Sequence, residues 1–160
     1  MIRIGLISDT HGLLRPPAVD FLQGSDFIVH AGDIGDPGIL AALNVIAPVT
    51  VVRGNNDREP WAHGLRQTQR LHVGAFVLLA IHDLAELDID PALAGVHAVV
   101  SGHSHRPSVG RRCGVLYVNP GSAGPRRFAL PVSVGELLVD GLHASARTMN
   151  LEIERSARGA

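Results

Sequence analysis

Seven side chains of the kinds that bind divalent metals follow apolar segments of this chain. They are two carboxylates, four imidazoles and one amide: Asp9, His11, Asp33, Asn55, His82, His103 and His105. In the Asp-x-His and His-x-His pairs, alternate residues of an extended segment face the same way, so both members of a pair can reach one site. This mixed set suits manganese, iron, cobalt, nickel or zinc, and it exceeds what one tetrahedral ion uses. The pattern therefore predicts two ions that share a bridging carboxylate.

Short buried strands are the elements that must position these side chains. Branched, nearly continuous apolar runs at residues 2–8, 26–31, 49–53, 75–81 and 97–101 each end shortly before a candidate ligand. Runs of this kind are typical of strands that are buried on both faces. Because the carboxyl ends of parallel strands meet at one edge of a sheet, the polar residues that follow belong to one rim.

Helices and further strands complete the predicted domain. Prolines open two predicted helices at residues 16–22 and 37–46. The second half is richer in strand, with segments at residues 69–73, 115–118, 132–139 and 143–151. We predict one α/β domain over residues 1–160, in which two sheets pack together and helices lie outside them.

The composition excludes several classes of protein. The 160-residue chain is 46% apolar and 18% charged, and its 14 basic and 15 acidic residues give a net charge of -1. This balance predicts a folded domain without bulk binding of nucleic acid or anionic membrane. No uncharged run is long enough for a membrane span or a signal-peptide core, so we expect a cytoplasmic protein. All basic residues are arginine and Cys113 is the single cysteine, which excludes lysine Schiff bases and intrachain disulfides.

The candidate ligands stand within six short motifs whose order is highly specific. The motifs are Asp9-Thr10-His11-Gly12, His30-Ala31-Gly32-Asp33, Arg53-Gly54-Asn55-Asn56-Asp57, Ile81-His82, Gly102-His103-Ser104-His105 and Asn119-Pro120-Gly121-Ser122. In this combination the chain resembles the calcineurin-like metallophosphoesterases, in the branch of small bacterial and archaeal phosphodiesterases that includes a eukaryotic retromer subunit. The resemblance implies a four-layer α/β/β/α sandwich of two mixed sheets flanked by helices.

The resemblance also implies a role for each ligand and a reaction. It assigns the first metal to Asp9, His11 and His105, the second metal to Asn55, His82 and His103, and the bridging position to Asp33. A metal-bridging hydroxide would then attack a small-molecule phosphodiester in line, with no covalent phosphoenzyme. Manganese is the first expectation for both ions, and nickel, iron, zinc, cobalt and magnesium are alternatives.

Two positions depart from the family pattern, and two arginines follow its motifs. Asn56 stands where relatives often carry histidine or cysteine, and a histidine there contacts phosphate and helps to protonate the leaving oxygen. An amide donates a hydrogen bond but delivers no proton, so Asn56 in this catalytic position predicts a preference for good leaving groups. Asp83 replaces a common glycine beside the second metal, with an effect that the sequence leaves open. Arg58 and Arg106 are candidates for binding phosphate oxygens.

Two alternatives to a phosphodiesterase stay open. A phosphomonoesterase or nucleotide phosphatase would use the same metal centre, because the centre does not set how many phosphate oxygens are esterified. A non-catalytic interaction module, like the retromer subunit, would use the same fold. A homo-oligomer is also compatible with the sequence. His30 is left outside the ligand set, either as a partner that orients a ligand or as a satisfied buried histidine.

Overall fold

Two mixed sheets of five strands each face one another within residues 1–153, the part of the chain that the computed structural model describes. From edge to edge, the first sheet contains β10 (His143–Asn150), β9 (Ser133–Asp140), β1 (Ile2–Ile7), β2 (Phe27–His30) and β3 (Val49–Val51). The last three of these strands are parallel, whereas β9 is antiparallel to both of its neighbours. The final seven residues of the predicted domain lie outside the described range.

The second sheet has the same mixed character. From edge to edge it contains β4 (Thr68–Val73), β5 (Phe76–Ile81), β6 (Ala98–Val100), β8 (Val115–Asn119) and β7 (Ser108–Arg112). Strands β5, β6 and β8 are parallel at its centre, and antiparallel strands close both edges. Every strand that precedes a candidate ligand belongs to the parallel part of its sheet.

The core between the sheets explains the apolar runs. Ile4, Leu6, Val29, Leu78 and Val100 are fully buried there, and burying each such side chain contributes about 1.5–3 kcal/mol. The outer face of the first sheet is covered as well, so its central strands are apolar on both faces. The continuous apolar pattern of β1 and β2 follows from this double burial.

The helices cover the first sheet. Helix α1 (Pro16–Leu22) and helix α2 (Pro37–Ile46) begin at prolines, and the Asp36 side chain caps α2 by accepting a hydrogen bond from the Gly38 N–H at 2.8 Å. Over the second sheet, the covering layer contains the 3₁₀ helix Leu84–Glu86, which packs on Ile81 and its neighbours. The predicted four-layer α/β/β/α sandwich is confirmed, with a thinner fourth layer.

The sequence pattern does not predict strand β7, and it predicts β3 two residues too long. Strand β7 has five exposed residues and lies at a sheet edge, so it shows no apolar alternation that marks a strand. The predicted strand at residues 49–53 ends at Val51, because the chain turns toward the metal motif there. Within residues 1–153, no helix is long and apolar enough to cross a membrane.

Candidate metal centre

All seven candidate ligands meet at one rim, where the parallel strands of both sheets end. Asp9 and His11 follow β1, while Asp33 follows β2 and Asn55 follows β3. From the second sheet, His82 follows β5, and the pair His103 and His105 follows β6. Five separate loops therefore converge, and long-range contacts between the two sheets bring their side chains together.

The first cluster contains Asp9, His11 and His105. Asp9 Oδ1 lies 3.3 Å from His105 Nε2 and 3.8 Å from His11 Nε2. The two imidazole nitrogens are themselves 3.5 Å apart. One carboxylate oxygen and two ring nitrogens therefore face a common point, which is a suitable arrangement for one divalent ion.

The second cluster is built around His82. Its Nε2 lies 3.0 Å from Asn55 Oδ1 and 3.4 Å from Asp33 Oδ2. Asn55 Oδ1 is also 3.2 Å from His103 Nδ1, so the amide oxygen joins both histidines. His103 is exposed, and its Nε2 lies 3.8 Å from Asp83 Oδ2. Asp83 is thus beside the outer side of His103, and its carboxylate also caps the 3₁₀ helix by accepting from the Ala85 N–H.

The carboxylates lie between the two groups of histidines. Asp33 Oδ2 is 3.7 Å from His11 Nε2 on one side and 3.4 Å from His82 Nε2 on the other. Asp9 Oδ1 also reaches toward the second group, at 3.9 Å from His82 Nε2. The two clusters are therefore adjacent parts of one centre.

Electrostatics in the centre favour ionised carboxylates. Burial acts to raise the pKa of Asp9, but its contacts with His105 and Ser8 and the charge on His82 outweigh burial and lower it. The pKa of Asp33 is also lowered, because interactions with His82 and the Asn56 N–H exceed the opposing effect of burial. Two anionic groups within one rim attract cations.

His82 shows how a cation would be held. Its Nδ1 donates to the Ala31 carbonyl oxygen at 2.7 Å, which directs Nε2 into the centre. Burial acts to lower the pKa of His82, but the Asp33 and Asp9 carboxylates overcome this and raise it. The position therefore attracts positive charge, and a metal ion bound at Nε2 would replace the proton.

One atom gives a direct test of whether a metal fits. Asp9 Oδ1 is buried and has no hydrogen-bond partner among residues 1–153, although three imidazole nitrogens lie within 3.9 Å of it. A buried, ionised oxygen without a hydrogen-bond partner destabilises the folded protein, and a bound cation would remove this destabilisation. The donor set of carboxylate, imidazole and amide fits borderline divalent ions.

The backbone of the centre is strained at the ligands themselves. Five of the seven ligands have a left-handed backbone, with positive φ angles: Asp9 (54°), His11 (45°), Asp33 (56°), His103 (70°) and His105 (61°). Residues other than glycine adopt this conformation at a cost of about 1–3 kcal/mol, and they do so mostly at functional sites. The strain indicates that the fold positions these side chains for a task.

Asp57 holds the loop that carries Asp33. Its buried carboxylate accepts hydrogen bonds from the N–H groups of Asp33, Ile34 and Gly54 at 2.9 Å each, and from Gly35 at 3.3 Å. The loops after β2 and β3 are thereby joined. The sequence does not reveal this role, because an aspartate in a motif does not show which backbone groups it contacts.

Close packing at two glycines also shapes the centre. A Cβ atom on Gly54 would lie 2.1 Å from Asp33 Oδ1, and one on Gly102 would lie 2.6 Å from Asp9 Oδ2. Both distances are shorter than any real Cβ contact, so any side chain would displace a ligand carboxylate. The glycines of the Arg53-Gly54-Asn55 and Gly102-His103 motifs are therefore sites of close approach.

The remaining candidate residues lie on the same rim with different contacts. The Asn56 backbone N–H donates to Asp33 Oδ1 at 2.9 Å, and its side-chain amide donates to Asp33 Oδ2 at 3.0 Å. Asn56 is thus directed at a ligand. Arg58 Nε donates to the Asn55 carbonyl oxygen at 3.2 Å, and Arg106 is exposed next to His105.

His30 is a fully satisfied histidine and not a ligand. The Thr10 hydroxyl donates to the Ile34 carbonyl at 2.8 Å, so it accepts from His30 Nε2 at 3.0 Å. The other ring nitrogen, Nδ1, accepts from the Gly32 N–H at 3.1 Å. Complete burial lowers the pKa of His30 to about 4, which keeps the ring neutral. His30 therefore fixes Thr10, the residue between Asp9 and His11.

A further loop, which follows the Asn119-Pro120-Gly121-Ser122 motif, also approaches the centre. Arg127 and Phe128 line a cavity of about 180 Å³ together with His103 and His105. Burial lowers the pKa of His11, and the Arg127 charge also acts to lower it, which places that charge near the first cluster. The sequence signal for this loop is that turn motif together with the paired Arg126 and Arg127, which predict a turn at the rim of the pocket. Nothing in the composition of the loop marks Phe128.

Comparison with known proteins agrees with the motifs. Residues 2–141 match the family described as the calcineurin-like phosphoesterase superfamily domain. A probable metallophosphoesterase of Methanothermobacter thermautotrophicus is 34% identical over 152 residues, covering 86% of each chain. Vps29 of Chaetomium thermophilum has a TM-score of 0.76 at 19% identity, covering 94% of this chain and 99% of that chain. Yfce, a phosphoesterase from E. coli, has a TM-score of 0.66 at 22% identity, covering 85% of this chain and 88% of that chain.

The structural similarities at this identity show a shared fold, and the family match extends over most of the chain. The resemblance predicted from the six motifs is confirmed: the chain belongs to the calcineurin-like phosphoesterase superfamily.

Proposed function

We propose that this chain hydrolyses phosphodiesters at a centre of two divalent metal ions. The observation that carries the proposal is the position of Asp33 Oδ2, 3.7 Å from His11 Nε2 and 3.4 Å from His82 Nε2. A carboxylate oxygen between two groups of imidazoles has the position that a bridging ligand needs. Membership of the superfamily supports the same reading.

Each group of side chains then holds one ion. The first ion would be bound by Asp9, His11 and His105. The second ion would be bound by Asn55, His82 and His103, and Asp33 would bind both ions. Bound divalent ions supply a nucleophile by lowering the pKa of water, and they neutralise charge on the phosphoryl oxygens. Manganese is the first candidate, and iron, cobalt, nickel, zinc and magnesium are the alternatives.

Positive charge at the centre and on nearby arginines would attract the substrate. Two divalent ions and the two carboxylates leave a charge of about +2 by simple addition, which attracts a phosphate anion. Arg127 adds positive charge beside the first cluster. We assign Arg58 and Arg106, which lie exposed beside Asn55 and His105, to contacts with phosphate oxygens when substrate is bound.

Asn56 sets the kind of leaving group in this proposal. Its amide donates to Asp33 Oδ2, so it orients the bridging carboxylate. An amide supplies no proton to a leaving oxygen. We therefore expect aryl phosphodiesters, whose alcohols leave without protonation, to react faster than alkyl phosphodiesters. Equal rates for both classes would contradict this part of the proposal.

The proposal is tested with metal-stripped protein reconstituted with each candidate ion. Hydrolysis of an aryl phosphodiester and an aryl phosphomonoester is measured, and calorimetry counts the bound ions. Asp33→Ala should abolish turnover, whereas Asp20→Ala, a change at an exposed carboxylate on α1, should leave it intact. Diester turnover that requires two ions and Asp33 supports the proposal.

Two other outcomes distinguish the alternatives. Faster turnover of the monoester would assign the same centre to a phosphomonoesterase or nucleotide phosphatase. Absence of turnover by the wild-type protein with both ions bound would overturn the enzymatic proposal. It would favour an interaction module, as the fold similarity to Vps29 allows.

A further inference from the structure

The loop at residues 124–130 begins against the metal centre. The Ala123 N–H donates to the Ser8 carbonyl at 3.0 Å, and Ser122 Oγ donates to the Asp9 carbonyl at 3.0 Å. A Cβ atom on Gly124 would lie 2.3 Å from the Thr10 carbonyl oxygen, so the chain passes directly over the Asp9 loop. The base of this loop is therefore fixed to the residues that carry the first cluster.

The residue at the tip of the loop, Phe128, has an exposed aromatic ring and a strained backbone. Phe128 is 94% exposed, although a phenylalanine gains free energy when it is buried. Its φ angle is 54°, in the left-handed region. The Leu130 N–H donates to the Arg127 carbonyl at 3.2 Å, so Phe128 is the second residue of a tight turn. A positive φ at that position normally requires glycine, asparagine or aspartate.

The ring is held next to the groups that would bind phosphate. Phe128 and Arg127 line the cavity of about 180 Å³ that His103 and His105 also line. A positive charge and an aromatic face thus stand side by side at the edge of the centre. Arginine binds phosphate oxygens, and an exposed aromatic face stacks on planar bases.

We infer that the loop at residues 124–130 is a subsite for a nucleobase attached to the phosphate, so that the substrate is a nucleotide ester. Phe128 stacks on the base, and Arg127 contacts the phosphate. The exposure and the strained turn have one common explanation, because the tight turn keeps the ring at the tip of the loop, where a base can reach it. This inference rests on the proposed function and adds the substrate class.

Binding of adenosine monophosphate, ribose 5-phosphate and inorganic phosphate to the manganese-reconstituted protein tests the inference by calorimetry. Phe128→Asn removes the ring with a residue that tolerates the left-handed backbone, so the variant should fold. Phe128→Tyr keeps the ring. Leu142→Asn is the matched control, since Leu142 is another exposed apolar residue, in the turn between β9 and β10.

The expected pattern separates stacking from phosphate binding. Phe128→Asn should bind adenosine monophosphate about 5- to 100-fold more weakly, with binding of inorganic phosphate changed less than about twofold. Phe128→Tyr and Leu142→Asn should both stay within about twofold of the wild type for every ligand. Arg127→Gln should weaken all three phosphate ligands together.

The inference is overturned if the wild type binds adenosine monophosphate no more tightly than ribose 5-phosphate, or if Phe128→Asn binds it normally. Intact hydrolysis of aryl phosphodiesters in the same preparation would then show that only the subsite is wrong. Loss of both phosphate binding and hydrolysis in the wild type would instead refute the proposed function, and the subsite with it.

Discussion

Replacing the buried Asp57 by asparagine is expected to destabilise the fold and to weaken the metal centre at the same time. The carboxylate accepts four backbone hydrogen bonds, from Asp33, Ile34, Gly35 and Gly54, and it is 1% exposed. These bonds join the loops after β2 and β3. Three of the four donors, those of Asp33, Ile34 and Gly54, belong to buried residues, where water is a poor replacement for a lost acceptor.

The size of the destabilisation in Asp57→Asn follows from the number of hydrogen bonds that lose their acceptor. Asparagine keeps one oxygen and places an amide N–H₂ where the second oxygen was, so two of the four N–H groups would face a donor. A hydrogen bond to a charged group contributes about 1.5–3 kcal/mol, so two lost bonds predict a decrease of about 3–6 kcal/mol in the free energy of unfolding. The free energy of unfolding of a typical domain is about 5–15 kcal/mol, so this decrease is a large fraction of it.

Urea unfolding of the metal-free protein measures this loss, and a competing chelating dye measures the affinity for manganese. Asp36→Asn is the matched control, because Asp36 caps α2 with one hydrogen bond and asparagine is an equally good cap. We expect that control to remain within about 0.5 kcal/mol of the wild type. A loss smaller than about 1 kcal/mol in Asp57→Asn would refute the assigned role.

Three further predictions concern the same rim. The pKa of His30 is 6.5 in the unfolded chain and about 4 in the folded chain, so between these pH values only the unfolded chain binds the proton. The free energy of unfolding of the metal-free protein should therefore fall by about 3 kcal/mol as the pH is lowered from 6.5 to about 4. Urea titrations at several pH values check this, and a His30→Gln variant that shows the same slope would contradict it. Gly54→Ala should displace Asp33 and prevent metal binding, whereas Gly64→Ala, with no atom within 4 Å of its Cβ, should bind normally in calorimetry. Asn56→Ala removes a hydrogen bond to Asp33 and should weaken metal affinity about 10-fold in the dye competition, so unchanged affinity would count against this orienting role.

The fold was predictable where its causes are local. The apolar runs before Asp9, Asp33 and His82 form parallel strands because both of their faces are buried, and prolines begin both helices where expected. Strand β7 could not be predicted in this way. All of its residues are exposed, and pairing with β8 in the folded chain is what makes it a strand.

The candidate site was predictable in its residue types but not in its supporting contacts. The motif spacing identified seven side chains that the structure brings to one rim. The spacing does not show that Asp57 accepts from backbone groups of the preceding loop, because those N–H groups meet it only after β2 and β3 pair. It also does not show that Asn56 is directed at Asp33, or that Phe128 reaches the edge of the centre.

The supporting contacts imply that the centre is formed before metal binds. The strained backbone of Asp9 and Asp33 has no local cause, so interactions elsewhere must maintain it. Asp57 supplies hydrogen bonds for the Asp33 loop, and the Thr10 and His30 pair supplies them for the Asp9 loop. These contacts involve protein groups alone. Metal binding therefore does not have to fold the loops of the centre, and its main effect is to neutralise the buried oxygen of Asp9.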